Sequence, residues 1–131
     1  MIYLWVFIGS ALGGMARYWV TVVAARRFGE AFPWGTIMIN ISGSFLIALL
    51  GALTIEHGGL PASPDLRAFT MAGFCGGYTT VSSFALQTLL LAHGREWRQA
   101  AANVLISVVF CTAAAWLGFV AGAVINHVDG S

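Results

Sequence analysis

Hydrophobic residues dominate four long stretches of the chain, which cover residues 2–25, 33–55, 68–93 and 99–126. A helix needs about 20 residues to cross a hydrocarbon core of roughly 30 Å. A helix also satisfies its own backbone hydrogen bonds, which is necessary where lipid offers no partner. The pattern therefore predicts an all-α membrane protein with four transmembrane helices, in a single domain that covers residues 1–131.

The links between these stretches hold nearly all of the charged side chains and several helix breakers. Pro33 suits the first turn of a helix because it lacks an N–H, whereas the second link is interrupted by Gly58, Gly59, Pro61 and Pro64. The first and third links share one side of the membrane and contain Arg26, Arg27, Arg95 and Arg98, whereas the opposite side has only Arg67. The excess of arginine predicts that links one and three are cytoplasmic and that both termini face outward.

Glycine pairs with GxxxG spacing occur in three of the predicted spans. Such pairs let helix backbones approach closely in lipid, although glycine is also simply common in transmembrane helices. The spacing predicts close helix packing or dimerisation, at the pairs Gly9 and Gly13, Gly73 and Gly77, and Gly118 and Gly122.

The composition excludes a soluble domain and a nucleic-acid-binding protein. Hydrophobic residues make up 59% of the chain and charged residues 8%, against roughly 25% charged residues in a soluble domain. The formal net charge is +1, so no basic field exists to attract nucleic acid. Cys75 and Cys111 both lie in apolar runs and have no metal-binding spacing.

Polar residues recur at every fourth position on three predicted helices. These stripes are Thr36, Asn40 and Ser44 on the second helix, Thr79, Ser83 and Gln87 on the third, and Asn103, Ser107 and Cys111 on the fourth. One interpretation is hydrogen bonding between helices, worth about 0.6 kcal/mol per contact. Three stripes in one small protein favour a permeation path instead.

The charge content of the spans indicates what could move along such a path. No span contains Asp or Glu, whereas proton-coupled exporters and cation pathways usually place a carboxylate in the membrane. Hydroxyl and amide donors near one cation, Arg17, would stabilise a small anion. Alternatively, the Arg17 side chain reaches toward the membrane–water interface, or its charge has a structural partner such as a helix C-terminus.

The third span contains the densest local pattern, at residues 73–84. Adjacent glycines, Gly76 and Gly77, precede four hydroxyl residues, and both types of residue disfavour a continuous helix. We therefore expect the third helix to be broken at its centre. Free backbone carbonyls at such a break can hold a cation such as sodium.

At these positions the sequence resembles the Fluc (CrcB) family of fluoride channels. Residues 73–84 resemble the family pattern GFxGGxTTFSTF, and residues 35–44 resemble the second-helix pattern GTxxxNxxGS. Arg17 resembles the arginine of the family's first helix, and residues 117–119 resemble the end of its fourth helix.

The resemblance implies a fluoride-selective ion channel, not an enzyme, that exports cytoplasmic fluoride passively across the inner (plasma) membrane. It implies an antiparallel, dual-topology homodimer with two pores along the interface. It also implies a structural sodium ion at the centre of the dimer, held by the Gly76 and Thr79 carbonyls of both subunits.

The resemblance also assigns candidate pore residues. Asn40 is an anion donor, and Phe84 is one ring of a phenylalanine pair, which suits an anion because an aromatic edge is positive. The remaining candidates are Thr36, Arg17, Val81, Ser82, Ser83, Gln87 and Ser107. The chain departs from the family pattern at three positions: Val81 replaces a phenylalanine, Gln87 replaces a glutamate of many members, and Cys111 replaces a hydroxyl residue.

Three alternatives stay open from the sequence. The arginine bias favours one fixed orientation, so the chain could be one subunit of a heterodimeric fluoride channel. A small proton-coupled multidrug exporter has four short helices too, but it needs an embedded glutamate. A structural or assembly subunit would use the polar stripes only to join helices.

Overall fold

The computed structural model describes residues 1–54 and 63–129, and every regular element within those ranges is helical. In chain order the elements are α1 (Ile2–Phe28), α2 (Trp34–Leu53), α3 (Pro64–Arg67), a π-helical segment (Ala68–Cys75), α4 (Gly76–Tyr78), α5 (Val81–His93) and α6 (Trp97–Asp129). Helices α1, α2 and α6 are long and apolar enough to cross a membrane. The all-α membrane fold is thus confirmed for the described residues, and the third predicted span falls on shorter helical pieces.

Several helix ends differ from the predicted bounds. Helix α1 continues three residues past Ala25, so Arg26 and Arg27 lie in its last turn, where the negative end of the helix dipole favours cations. Helix α6 starts at Trp97 and includes Arg98. The predicted end of the second span at Ile55, and the link residues Glu56, Gly58, Gly59 and Pro61, lie outside the described residues.

Pro64 does not act as a breaker in the structure. It occupies the first turn of α3, where its missing N–H costs no hydrogen bond. Ser63 precedes it as the N-cap and accepts a hydrogen bond from the Leu66 backbone N–H at 3.1 Å. Because a proline directly after an N-cap begins a helix, Pro64 lies in the first turn of α3, and the rest of the predicted break falls outside the described residues.

Two of the GxxxG pairs pack against each other. A Cβ atom added at Gly13 would clash with the Phe74 carbonyl oxygen, and one added at Gly77 would lie 2.5 Å from the Ser10 carbonyl oxygen. Helix α1 and the segment from Ala68 to Tyr78 are thus in backbone contact. The third pair packs α6 on α2, since a Cβ at Gly122 would lie 2.6 Å from the Ala52 Cβ. The predicted close packing is confirmed, and it occurs within one chain.

The helical path stops at two adjacent threonines. Helix α4 ends at Tyr78, and Thr79 (φ −77°, ψ 158°) and Thr80 (φ −152°, ψ 119°) have extended backbones before α5 begins at Val81. Gly76 and Gly77, in contrast, are helical. Helix α5 then packs on α6, and α6 packs on α2. Hydrogen bonds to Asn40 hold the extended residue Thr80 against the side of α2 that carries the polar stripe.

Candidate functional site

The side chain of Asn40 pairs with the backbone of Thr80. Its Nδ2 donates to the Thr80 carbonyl oxygen at 2.9 Å, and its Oδ1 accepts from the Thr80 N–H at 2.8 Å. An extended residue in a membrane protein needs partners for both backbone groups, because lipid supplies none. One side chain on α2 therefore satisfies both backbone groups of Thr80 in the extended segment.

The Thr80 hydroxyl organises the start of α5. Its Oγ1 accepts from the Ser83 N–H at 3.1 Å, which caps the helix, and donates to the Ser83 Oγ at 3.2 Å. The Ser82 Oγ lies 3.1 Å from the same oxygen. Since the single Thr80 hydrogen goes to Ser83, Ser82 is the donor in its contact, and Ser83 keeps its own hydrogen for another acceptor.

These contacts divert two backbone donors away from two carbonyl groups. In an uninterrupted helix each N–H donates to the carbonyl four residues earlier. The Thr80 N–H would then meet the Gly76 carbonyl, and the Ser83 N–H would meet the Thr79 carbonyl, but they donate to Asn40 and Thr80 instead. Gly76 and Thr79 are the residues that the resemblance assigns to sodium. Carbonyl oxygens freed from helical bonds are suitable sodium ligands, so this donor set fits the ion chemically.

Arg17 lies beside one of these two carbonyl groups, that of Thr79. Its side chain is half-buried, and its guanidinium donates to the Thr79 carbonyl oxygen at 3.5 Å. This contact agrees with the alternative expectation for Arg17, in which its charge has a structural partner at the C-terminal end of a helix. Arg17 lines none of the three cavities described below.

A cavity of about 420 Å³ lies between α2, α5, α6 and the extended threonines. It is lined by Asn40, Gly43, Ser44, Ile47, Thr79, Thr80, Val81, Phe84, Ser107, Val108, Cys111 and Thr112. Residues from all three predicted polar stripes therefore meet in one place. Of the predicted pore residues, the structure brings together Asn40, Val81, Phe84 and Ser107 at this cavity, with Ser82 and Ser83 bonded to Thr80 in its wall.

Ser107 lines this cavity and has a buried hydroxyl group without a partner in the described chain. The residue is only 8% exposed, and its Oγ has no hydrogen-bond partner among the described residues. A buried hydroxyl without a partner costs about 1–3 kcal/mol relative to a paired one. A group of this kind at the wall of a cavity is suited to a bound water molecule or an anion.

A buried amide joins α6 to the part of α5 that carries Phe84. Asn103 is fully buried, and its Nδ2 donates to the Thr88 Oγ1 at 2.8 Å, which in turn donates to the Phe84 carbonyl oxygen at 2.8 Å. The chain of bonds holds the Phe84 backbone in place. Sequence reasoning missed Thr80 and Thr88 as contributors, because their asparagine partners, Asn40 and Asn103, lie on other helices.

Thr36 and Gln87 lie apart from the main cavity. Both line a smaller cavity of about 120 Å³ near the first link, and Gln87 also lines one of about 220 Å³ with Glu30 and Glu96. Thr36 precedes Asn40 by one helical turn, and Gln87 follows Phe84 by nearly one turn. Both residues are therefore displaced from the main cavity toward the end of the protein formed by links one and three. The Gln87 Oε1 is buried without a partner in the described chain.

The fold and this site define a class of protein: an all-helical membrane protein with a cavity between its helices whose described lining combines apolar side chains with uncharged amide and hydroxyl groups. The profile of the family described as CrcB-like protein, Camphor Resistance (CrcB), matches residues 4–119. The chain belongs to this family.

Three curated relatives are similar over nearly their full length. A protein of Methylocella silvestris named fluoride-specific ion channel FluC is 52% identical over 131 residues, which is 100% of both chains. A protein of the same name from Rhodospirillum rubrum is 51% identical, over 97% of this chain and 98% of its own. A third, from Paramagnetospirillum magneticum, is 46% identical over 95% of this chain and 98% of its own.

Proposed function

We propose that this protein is a fluoride-selective ion channel of the inner membrane, through which cytoplasmic fluoride leaves passively. The observation that carries the proposal is the cavity shared by Asn40 and by the buried, unpaired hydroxyl of Ser107. Its described lining contains no carboxylate and no cationic side chain. The names of the relatives as fluoride-specific ion channels support the choice of ion.

The chemistry of this cavity suits a small anion. Amide and hydroxyl hydrogens can replace the water that fluoride must shed, and the edge of the Phe84 ring is positive. The α5 N-terminus borders the same cavity and adds the positive end of a helix dipole. The ion would reach this place from the end formed by links one and three, by way of Gln87 and Thr36.

The cavity also supports a dimeric arrangement. Val81, in its wall, is 79% exposed in the single chain, and the neighbouring Ser82 is exposed as well. A second, antiparallel copy packed on this surface would close the cavity and create two pores along the interface. In this arrangement Thr79 and Thr80 interrupt the third membrane span. Sodium bound by the Gly76 and Thr79 carbonyls of both copies would neutralise the dipoles of four inward-facing carbonyl groups.

Fluoride efflux from liposomes tests the proposal and its alternatives. The purified chain alone, in liposomes loaded with potassium fluoride, is expected to release fluoride to an electrode when valinomycin carries the compensating potassium. Liposomes loaded with chloride should retain it. An exporter would need an imposed proton gradient, a structural subunit would release nothing, and one member of an obligate heterodimer would be silent alone.

Removal of the Ser107 hydroxyl is expected to slow fluoride efflux. A hydrogen bond to a charged group contributes about 1.5–3 kcal/mol, and each 1.4 kcal/mol is about tenfold in an equilibrium constant. The Ser107→Ala protein should therefore conduct about tenfold more slowly. The matched control is Ser42→Ala, because Ser42 is exposed, donates to the Met38 carbonyl at 2.7 Å and lies outside the cavity. Equal rates for the two variants would remove Ser107 from the pathway.

Removal of sodium is expected to destabilise the protein. Replacement of sodium by N-methylglucamine in detergent solution should lower the melting temperature and shift the protein from dimer to monomer on size exclusion, since the freed carbonyls lose their ligand. Potassium at the same concentration controls for ionic strength. Identical melting in sodium and N-methylglucamine would count against the cation site.

A further inference from the structure

We infer that Asn40 is a positioning residue for the cation site, because its Oδ1 keeps the Thr80 N–H away from the Gly76 carbonyl and so leaves that carbonyl free to bind sodium. The inference rests on the proposed sodium site, and it adds a role for Asn40 that is separate from contact with the anion. One amide side chain would then join the anion cavity to the cation site.

The hydrogen bonds fix the orientation of this amide. A backbone N–H can only donate and a carbonyl oxygen can only accept, so the Asn40 atom that faces the Thr80 N–H is Oδ1 and the atom that faces the Thr80 carbonyl is Nδ2. The pair of contacts removes the usual ambiguity of an asparagine amide. The Oδ1 atom is thus committed to Thr80, and one Nδ2 hydrogen stays available for the cavity.

The Thr80 N–H has one nearby alternative acceptor in the helical register. Without the Asn40 oxygen, this N–H would be unsatisfied in the membrane interior, at a cost of about 1–3 kcal/mol. The Gly76 carbonyl lies four residues earlier, where an α-helical bond would place it. Continuation of α4 by that one bond would satisfy the N–H and would engage the carbonyl assigned to the cation.

The Thr79 carbonyl is controlled by different side chains. Its helical donor, the Ser83 N–H, is held by the Thr80 hydroxyl, and Arg17 contacts the carbonyl oxygen itself. A change at Asn40 should therefore act on the Gly76 ligand and leave the Thr79 ligand in place. The expected result is a weaker sodium site.

Sodium titration of thermal unfolding tests the inference. The full-length chain in detergent would be melted at increasing sodium, with N-methylglucamine keeping the ionic strength constant, to find the sodium concentration that gives half of the stabilisation. For Asn40→Ala this concentration should rise at least about tenfold, the usual effect of losing a group that orients a metal ligand. Asn40→Asp keeps an oxygen for the Thr80 N–H but loses the donor to the Thr80 carbonyl, so its concentration should stay clearly below that of Asn40→Ala.

Ser44→Ala provides the matched control, because Ser44 is one turn from Asn40 and lines the same cavity but has no hydrogen bond to the extended segment among the described residues. Its sodium titration should match the natural sequence. If Asn40→Ala does not fold, Asn40→Ser replaces it, since the shorter side chain cannot span to Thr80. An unchanged titration in the variant without the oxygen, or an equal weakening in Asn40→Asp, would overturn the inference.

Failure of the inference is distinguishable from failure of the proposed function. If the natural sequence melts identically with and without sodium, the cation site and the role of Asn40 toward it are both overturned. If the natural sequence conducts no fluoride but shows the expected titrations, the fluoride proposal fails and the inference about Asn40 stands.

Discussion

The Gly13→Ala substitution is expected to prevent recovery of a stable folded protein, whereas Gly14→Ala leaves it intact. The added methyl group at Gly13 would collide with the Phe74 carbonyl oxygen and lie 2.9 Å from the Tyr78 backbone nitrogen. Backbone atoms cannot rotate away as the end of a flexible side chain can. The cost should therefore reach or exceed about 3 kcal/mol, the upper part of the usual range for overpacking.

Gly14 is a matched control in the adjacent position of the same helix. No heavy atom would lie within 4 Å of a Cβ added there, and alanine favours a helix over glycine by up to about 1 kcal/mol. Both variants gain the same helix propensity, so the difference between their stabilities isolates the contact of α1 with the segment from Ala68 to Tyr78. The measurements are the yield of monodisperse protein and its melting temperature in detergent. Similar melting for both variants would contradict the packing described for α1.

The close packing of helices could be predicted because glycine spacing is a local property of the sequence. Gly9 and Gly13 on α1 meet the segment that contains Gly73 and Gly77, as backbone approach in lipid requires. The presence and approximate positions of α1, α2 and α6 followed equally from continuous hydrophobic runs, although α1 and α6 extend beyond them. These features depend on residues within one helix or on a simple repeat, so a single sequence contains them.

The place where the helix stops could not be located with the same accuracy. The glycines at 76 and 77 are intrinsically poor helix formers, yet they are helical, and the extended residues are Thr79 and Thr80. The position is set by hydrogen bonds between Asn40 and Thr80, which are 40 residues apart. Local propensity cannot report a partner on another helix.

The polar stripes predicted which helices meet but not how the residues divide between cavities. Asn40 and Ser107 reach the same cavity, whereas Thr36 and Gln87 line a separate one. A fourfold spacing specifies the face of a helix, and residues of one face extend along its length. The depth of each residue along the bundle, and so the cavity that it reaches, depends on how far α2 and α5 are shifted relative to each other. A local sequence pattern does not contain this shift.

The sequence pattern also did not predict the π-helical segment Ala68–Cys75. In a π-helix each backbone bond spans one more residue than in an α-helix, so the side chains turn to different faces. In this arrangement a Cβ atom added to Gly73 would lie 3.0 Å from the Gly9 Cα. One short helix, α4, separates the segment from the extended threonines. Periodicities based on 3.6 residues per turn do not anticipate this register.

Asn40→Asp is expected to reduce fluoride efflux about a hundredfold or more. The aspartate keeps an oxygen for the Thr80 N–H but loses the Nδ2 hydrogens, one of which is available to the cavity. It also places a negative charge at the wall of the anion path. Two unit charges 4 Å apart interact by about 4 kcal/mol at an effective dielectric constant of about 20, which corresponds to more than a hundredfold at about 1.4 kcal/mol for each factor of ten. Electrode-recorded efflux from liposomes measures the change.

Gln99→Glu controls for the same chemical change away from the cavity. Gln99 is in the first turns of α6, where its Nε2 donates to the Glu96 carboxylate at 3.3 Å, and it does not line the main cavity. A carboxylate there lies near solvent and is screened by salt over about 10 Å, so efflux should stay within about twofold of the natural sequence. If both variants slow efflux equally, the effect is general repulsion. If neither does, the anion does not pass Asn40, and the path must run along another face of α2.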